Sequence, residues 1–413
     1  MATFFLIIIY LAFISLGLPD SLLGASWPVM QKDLGAPLDM AGWLFMLIAA
    51  GTILSSLASG RVISRFGTGK VTLVSCLMTA AALLGYAESA SVIWMVLFAI
   101  PLGLGAGSVD AGLNNYVAAH YKAHHMSWLH CFWGVGATLG PIIMARFIDG
   151  SGSWRDGYLT ISAIQFGLVL ILFFSLPLWN KVAGIRTAAN GMAEDGASNG
   201  PAENAAGASA SAKPLRIRGV KQGLLSFLLY CGVEATLGLW GSSYLVHVKG
   251  ASAVFAAQGV SLYYAGITAG RFITGFITFR LSNRLLIRAG QITALAGAVL
   301  LCLPLPGGYA VAGFMIVGLG LAPIYPCMLH ETPVRFGREN SQTIMGYQMA
   351  VAYVGSTLLP PLLGFLASFS SIGIFPVYLG LMAAAMLLFS ERLNRIMELR
   401  TGGGEIGGQS KVH

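Results

Sequence analysis

Twelve stretches of mostly apolar residues, separated by short polar breaks, leave this chain few ways to fold. A bilayer's hydrocarbon core is about 30 Å thick, and a helix crosses it in about 20 residues. No water is present there to satisfy the backbone, so each run must bond its own N–H and C=O groups as a helix. The runs fall near 3–29, 40–62, 70–87, 91–118, 127–148 and 156–179, then 221–246, 253–279, 285–304, 308–329, 341–367 and 372–391. Composition agrees: 56% of residues are hydrophobic and 10% charged, where a soluble domain carries about 25% charged residues. Mean hydropathy is +0.75. The expectation is an all-α membrane protein with twelve transmembrane helices in two pseudo-symmetric six-helix bundles.

The chain divides into an N-terminal bundle over 1–180, a flexible linker over 181–219, a C-terminal bundle over 220–392 and a tail over 393–413. Thr187 to Ala212 is almost all Ala, Gly, Ser, Asn and acid, a composition with nothing to bury. Basic residues set the orientation. With both termini cytoplasmic, all but four of the 24 Lys and Arg (Lys32, Arg146, Arg155 and Lys249) fall on the inner side. A cell (inner) membrane location follows. The net charge of +8 is spread over short breaks between spans, which argues against a nucleic-acid partner. The five cysteines lie singly in apolar runs with no CxxC, so neither a disulfide framework nor a zinc knuckle is indicated. The first run lacks a basic leader and a convincing cleavage site, and reads as a retained span.

Asp20 lies seventeen residues into the otherwise uncharged run from Phe4 to Val29. A carboxylate at that depth costs several kcal/mol unless it faces protein or a water-filled cavity, and Pro19 loosens the helix beside it. The first spans of the four three-span repeats are one, four, seven and ten, and all four are expected to be interrupted. Three of them hold an acid in the span: Asp20, Asp110 and Glu234. In span ten, Pro323, Tyr325 and Pro326 lead to His330 and Glu331. Polar residues thus select one helix per repeat, as expected for helices lining a central cavity. Low dielectric favours the neutral form of a carboxylate, so Asp20, Asp110 and Glu234 are the proton-coupling candidates. Glu234 has a second reading, pinning span seven to a neighbour's hydroxyl.

Asn114 and Asn115 follow Asp110 by a helical turn. Trp27, Trp133, Trp240, Tyr325, Tyr347 and Gln348 fall in or near the cavity helices. Their rings could stack on a sugar, hold a cation or simply pack. His130 reads equally as a packing residue or a cavity group. Arg271 either meets an acid or reaches the inner interface. His120, His124 and His125 have a spacing that could bind metal on a helix, but a solvated loop is the expectation. No Lys or Arg sits at mid-depth in spans one, four, seven or ten, which disfavours organic anions as solutes.

Two cytoplasmic span ends match: Gly60 with Arg65 and Gly67, and Gly275 with Arg280. They resemble the loop signature of the major facilitator superfamily, with Ser64 and Phe279 at its Asp position. Pro19-Asp20-Ser-Leu-Leu-Gly-Ala and Val109-Asp110-Ala-Gly-Leu-Asn-Asn resemble stretches in spans one and four of the fucose permease family of sugar:proton symporters. That resemblance implies that the two acids take part in proton translocation and solute recognition. His130 and Trp133 stand where that family has sugar-facing Gln and Asn, so the solute contacts differ. The implied function is a proton-coupled secondary transporter of a sugar-like solute by alternating access. The alternative is a proton-driven exporter of cationic or lipophilic compounds. An enzyme is not expected, and neither is a cofactor or resident metal. The expected partners are a small solute, protons and the bilayer, with the chain acting as a monomer.

Overall fold

A computed structural model describes residues 2–120, 123–149, 153–194, 214–278 and 280–408. The first span consists of α1 (Ala2–Asp20) and α2 (Leu22–Asp33), which part at Ser21, two residues after Pro19. It is followed by α3 (Met40–Phe66), α4 (Thr68–Ala87), α5 (Val92–His120), α6 (Ala123–Ile148) and α7 (Trp154–Glu194). The second half holds α8 (Val220–His247), α9 (Ala253–Ile277) and α10 (Asn283–Cys302). Its tenth span is again broken, into α11 (Gly307–Leu321) and α12 (Ile324–Phe336), with Pro323 at the break. Two more helices, α13 (Arg338–Ser368) and α14 (Phe375–Gly408), complete it. Among the described residues eleven spans are long and apolar enough to cross a membrane. The twelfth, α9, has 25 residues and exposes Phe272, Ile273 and Phe276 on its outer side.

Spans four and seven depart from expectation, because α5 and α8 are each continuous. Their glycines serve packing rather than bending. A Cβ at Gly103 would lie 2.2 Å from the Ile48 carbonyl oxygen, and one at Gly107 would lie 2.1 Å from that of Thr52. The missing side chains let α5 lie against α3. The expected linker is shorter on its described flank, since α7 continues as far as Glu194 with no proline after Pro177. Residues 195–213, about half of the expected linker, lie outside the described residues. Helix α14 carries the expected tail on as helix to Gly408.

Successive spans alternate in direction. The α3–α4 and α12–α13 turns therefore share one face with the ends of α7 and α9, called here the linker face. Each of those two turns is a single glycine with positive φ, Gly67 at 81° and Gly337 at 88°, a conformation that side chains resist. Helices α1 to α7 pack chiefly on one another, as do α8 to α14; the halves meet where α6 crosses α9, α3 crosses α13 and α2 crosses α8.

The meeting is one-sided. Away from the linker face a single apolar core joins both halves, with Leu22, Trp27 and Met30 from one and Trp240, Leu245 and Val260 from the other. Toward the linker face each half keeps a separate core, around Ile9, Phe13 and Leu113 in one and around Val220, Phe336 and Leu393 in the other. Backbone contact makes the seal. A Cβ at Gly24 would stand 2.1 Å from the Gly238 carbonyl oxygen. Ser242 donates to the Ala25 carbonyl at 3.2 Å, and Ser261 to that of Thr138 at 2.8 Å.

Candidate functional site

Between the halves lies a cavity of about 670 Å³ whose lining reaches the linker face at Thr278, Asn283 and Pro333. Among the described residues, none in the turns on the opposite face lines it. A void of this size suits a small solute.

Small residues on α1 and α6 set up its acidic wall. A Cβ at Gly17 would lie 2.1 Å from the Trp133 carbonyl oxygen, and one at Gly136 would lie 2.0 Å from that of Ile14. The two helices touch backbone to backbone, which brings the Trp133 indole to the end of α1. Its Nε1 donates to Asp20 Oδ2 at 2.8 Å. Asp20 still faces the void, so the acid has one charge-assisted donor and access to water. Asp110 enters from α5 and accepts from Asn114 Nδ2 at 2.8 Å, one helical turn on.

The opposite wall belongs to the second half. Arg271 on α9 donates from Nη2 to Glu234 Oε1 on α8 at 3.3 Å and to the Tyr230 hydroxyl at 3.4 Å. Tyr263 donates to the Glu234 backbone carbonyl at 3.0 Å. The Arg271 guanidinium carbon stands 5.6 Å from the Trp133 ring centroid, so the indole that holds Asp20 also touches the cation of the other half. Tyr325 packs on Phe227 and Tyr230 at centroid distances of 5.2 and 6.1 Å. The ring row runs from α8 to α12.

Of the residues singled out in the sequence, Asp20, Asp110, His130, Trp133, Glu234, Gly275 and Tyr325 line this one cavity. Trp27 and Trp240 do not: both are fully buried in the shared core, donating to the Leu38 and Pro360 carbonyls. Tyr347 packs beside Val220 and Phe336, and Gln348 is buried and accepts from Thr332 at 2.9 Å. Asn114 is engaged with Asp110, and the side chain of Asn115 lies outside the described residues, as do those of His120 and His124. His125 meets the Tyr10 hydroxyl at 2.8 Å. At the matched loops, Gly60, Arg65, Gly67 and Arg280 are all exposed, and Phe279 lies outside the described residues.

Arg271 is the residue that sequence reasoning left open, and the structure gives it a partner acid. The signal was readable: Arg271, Thr274, Gly275 and Thr278 all line the void at helical spacing on one face of α9. Its presence also corrects the reason given for disfavouring anions. That reason considered spans one, four, seven and ten, whereas the cavity's guanidinium comes from span eight.

Comparison with known proteins places these features in context. The family model for the Major Facilitator Superfamily matches residues 9–357. The chain is 23% identical over 277 residues to Bypass of stop codon protein 6 of Saccharomyces cerevisiae, covering 65% of this chain and 56% of that one. It is 26% identical over 245 residues to the glucose/mannose transporter GlcP of Bacillus subtilis, covering 57% and 56%. The chain thus spans little more than half the length of these curated relatives. A solved D-xylose-proton symporter superposes with a TM-score of 0.70 at 13% identity, covering 94% of this chain and 96% of that one.

Proposed function

Because the chain belongs to the Major Facilitator Superfamily, we propose that it is a proton-coupled secondary active transporter of a small polar solute, a sugar or sugar-like compound. It works by alternating access, with two six-helix halves rocking about the cavity so that it opens to one side at a time. The distribution of basic residues supports a cytoplasmic linker face in a cell membrane, and on that reading the structure is inward-open. The observation that carries the reading is the pair Asp20 and Asp110, on different helices of one half, facing a single void that both halves enclose. Neither has a basic partner among the described residues, so each can exchange a proton with whichever side the cavity meets. Protonation then changes the relative stability of the two openings. The names of the similar glucose/mannose transporter and D-xylose-proton symporter support a sugar-like solute and a proton as the driving ion.

The test uses sealed proteoliposomes. Asp110→Asn should abolish accumulation driven by a pH gradient while leaving counterflow exchange partly intact. If the variant still concentrates solute, Asp110 is not the coupling group.

The same two unpaired acids also favour a second reading, proton-driven export of cationic compounds. Competition by quaternary amines but not by sugars would select it.

A further inference from the structure

The transport cycle leaves unused the one Lys or Arg among the described residues lining the cavity. A guanidinium carries five N–H donors. At Arg271, among the described residues, only Nη2 makes hydrogen bonds, at 3.3 Å to Glu234 and 3.4 Å to Tyr230. Nε and Nη1 have no hydrogen-bond partner among the described residues. A strong Arg–carboxylate pair makes two parallel contacts of about 2.7–2.9 Å; this one makes a single long contact. Glu234 therefore meets Arg271 through one contact and leaves the rest of its fork open. The Trp133 ring lies 5.6 Å from the guanidinium carbon, an apolar platform beside the open donors.

We propose that Arg271 binds an acidic group of the solute, so that the sugar-like compound carried is a sugar acid with one carboxylate, such as a uronate or an aldonate. This rests on the sugar reading above and narrows it. A neutral sugar needs hydrogen bonds but no net cation, whereas a planar fork with open donors matches a carboxylate in both charge and shape. The other carboxyl and imidazole groups facing the cavity are Asp20 on α1, Asp110 on α5, His130 on α6, Glu234 on α8 and His330 on α12. Three of these are acids. A single guanidinium offsets one negative charge, and a phosphate dianion would leave a second facing those acids. The solute's carboxylate takes over Nη2, so Glu234 competes with it for Arg271.

Full-length protein in detergent is titrated calorimetrically with D-glucuronate, D-galacturonate and D-gluconate, and with D-glucose and D-galactose. At least one acid should bind about tenfold or more tightly than its neutral parent, the scale of a charge-assisted contact. Arg271→Gln should lose that advantage and keep the weak neutral binding. Glu234→Gln, with the competitor removed, should bind the acid several-fold more tightly; this variant carries the test alone should Arg271→Gln fail to fold. Acids that bind no better than neutral parents, or a Glu234→Gln variant that gains nothing, overturn the assignment of Arg271. Neutral sugars that bind as tightly as their acids overturn it while leaving the sugar reading intact. No binding by any of the five overturns both.

Discussion

Asp20 reaches the Trp133 indole because glycines on α1 and α6 remove the side chains that would hold those helices apart. The acid's single donor and its place at the void then follow from one backbone approach. Trp133→Phe separates the indole N–H from the ring. The ring still packs near Arg271 and Tyr264, so the melting temperature should change little. Asp20 loses its donor, and a hydrogen bond to a charged group is worth about 1.5–3 kcal/mol. Uptake in proteoliposomes should therefore fall by about tenfold or more. Unchanged uptake would show that the bond only packs the acid. The acids were legible as residues, because ionisable groups inside apolar runs are rare enough to stand out, whereas Trp133 was one ring among several. Their partners were not, since a glycine that permits contact and one that bends a helix look alike in sequence. Trp27 and Trp240 are the converse case. Their rings suit a solute, but each indole N–H is spent on a backbone carbonyl in the seal.

Helix α2 crosses α8 at Gly24 and Gly238 with no room for a side chain, and this crossing closes the face opposite the linker. Gly24→Leu would place its Cβ against the Gly238 carbonyl and 2.9 Å from Leu239 Cα, backbone atoms that give way only if the helices part. Overpacking of this kind costs about 1–3 kcal/mol. Its expected effect is to spread the seal. Ser242, buried and bonded to Ala25 across the same crossing, reports on it. With the five native cysteines replaced, Ser242→Cys should be inert to an impermeant thiol reagent added from the sealed side. It should become reactive when combined with Gly24→Leu. No gain in labelling would mean that the crossing is not the barrier. At this scale the sequence announced the spans and the breaks at Pro19 and Pro323. It misled at α5 and α8, where an interruption was expected and the helices run through. The reach of α7 to Glu194 went unseen because a polar, Ala-rich stretch suits both a coil and a helix.

The whole molecule is two helical halves that share one core on one face and separate cores on the other, with the acids in the gap between. Twelve runs and an internal repeat were enough to anticipate the halves, because bilayer physics permits little else. The direction of opening was not legible, since it depends on which of two packings of the same residues is the more stable. That difference is the quantity a proton and a solute must shift. The most direct measurement of this is internal pH in proteoliposomes with no imposed gradient, recorded as transported solute is added outside. Wild type should acidify the lumen in step with solute entry, whereas Asp20→Asn and Asp110→Asn should admit solute, if at all, with no pH change. Solute entry without acidification in wild type, or undiminished acidification when both acids are replaced, would contradict a cavity whose carboxylates carry the driving proton.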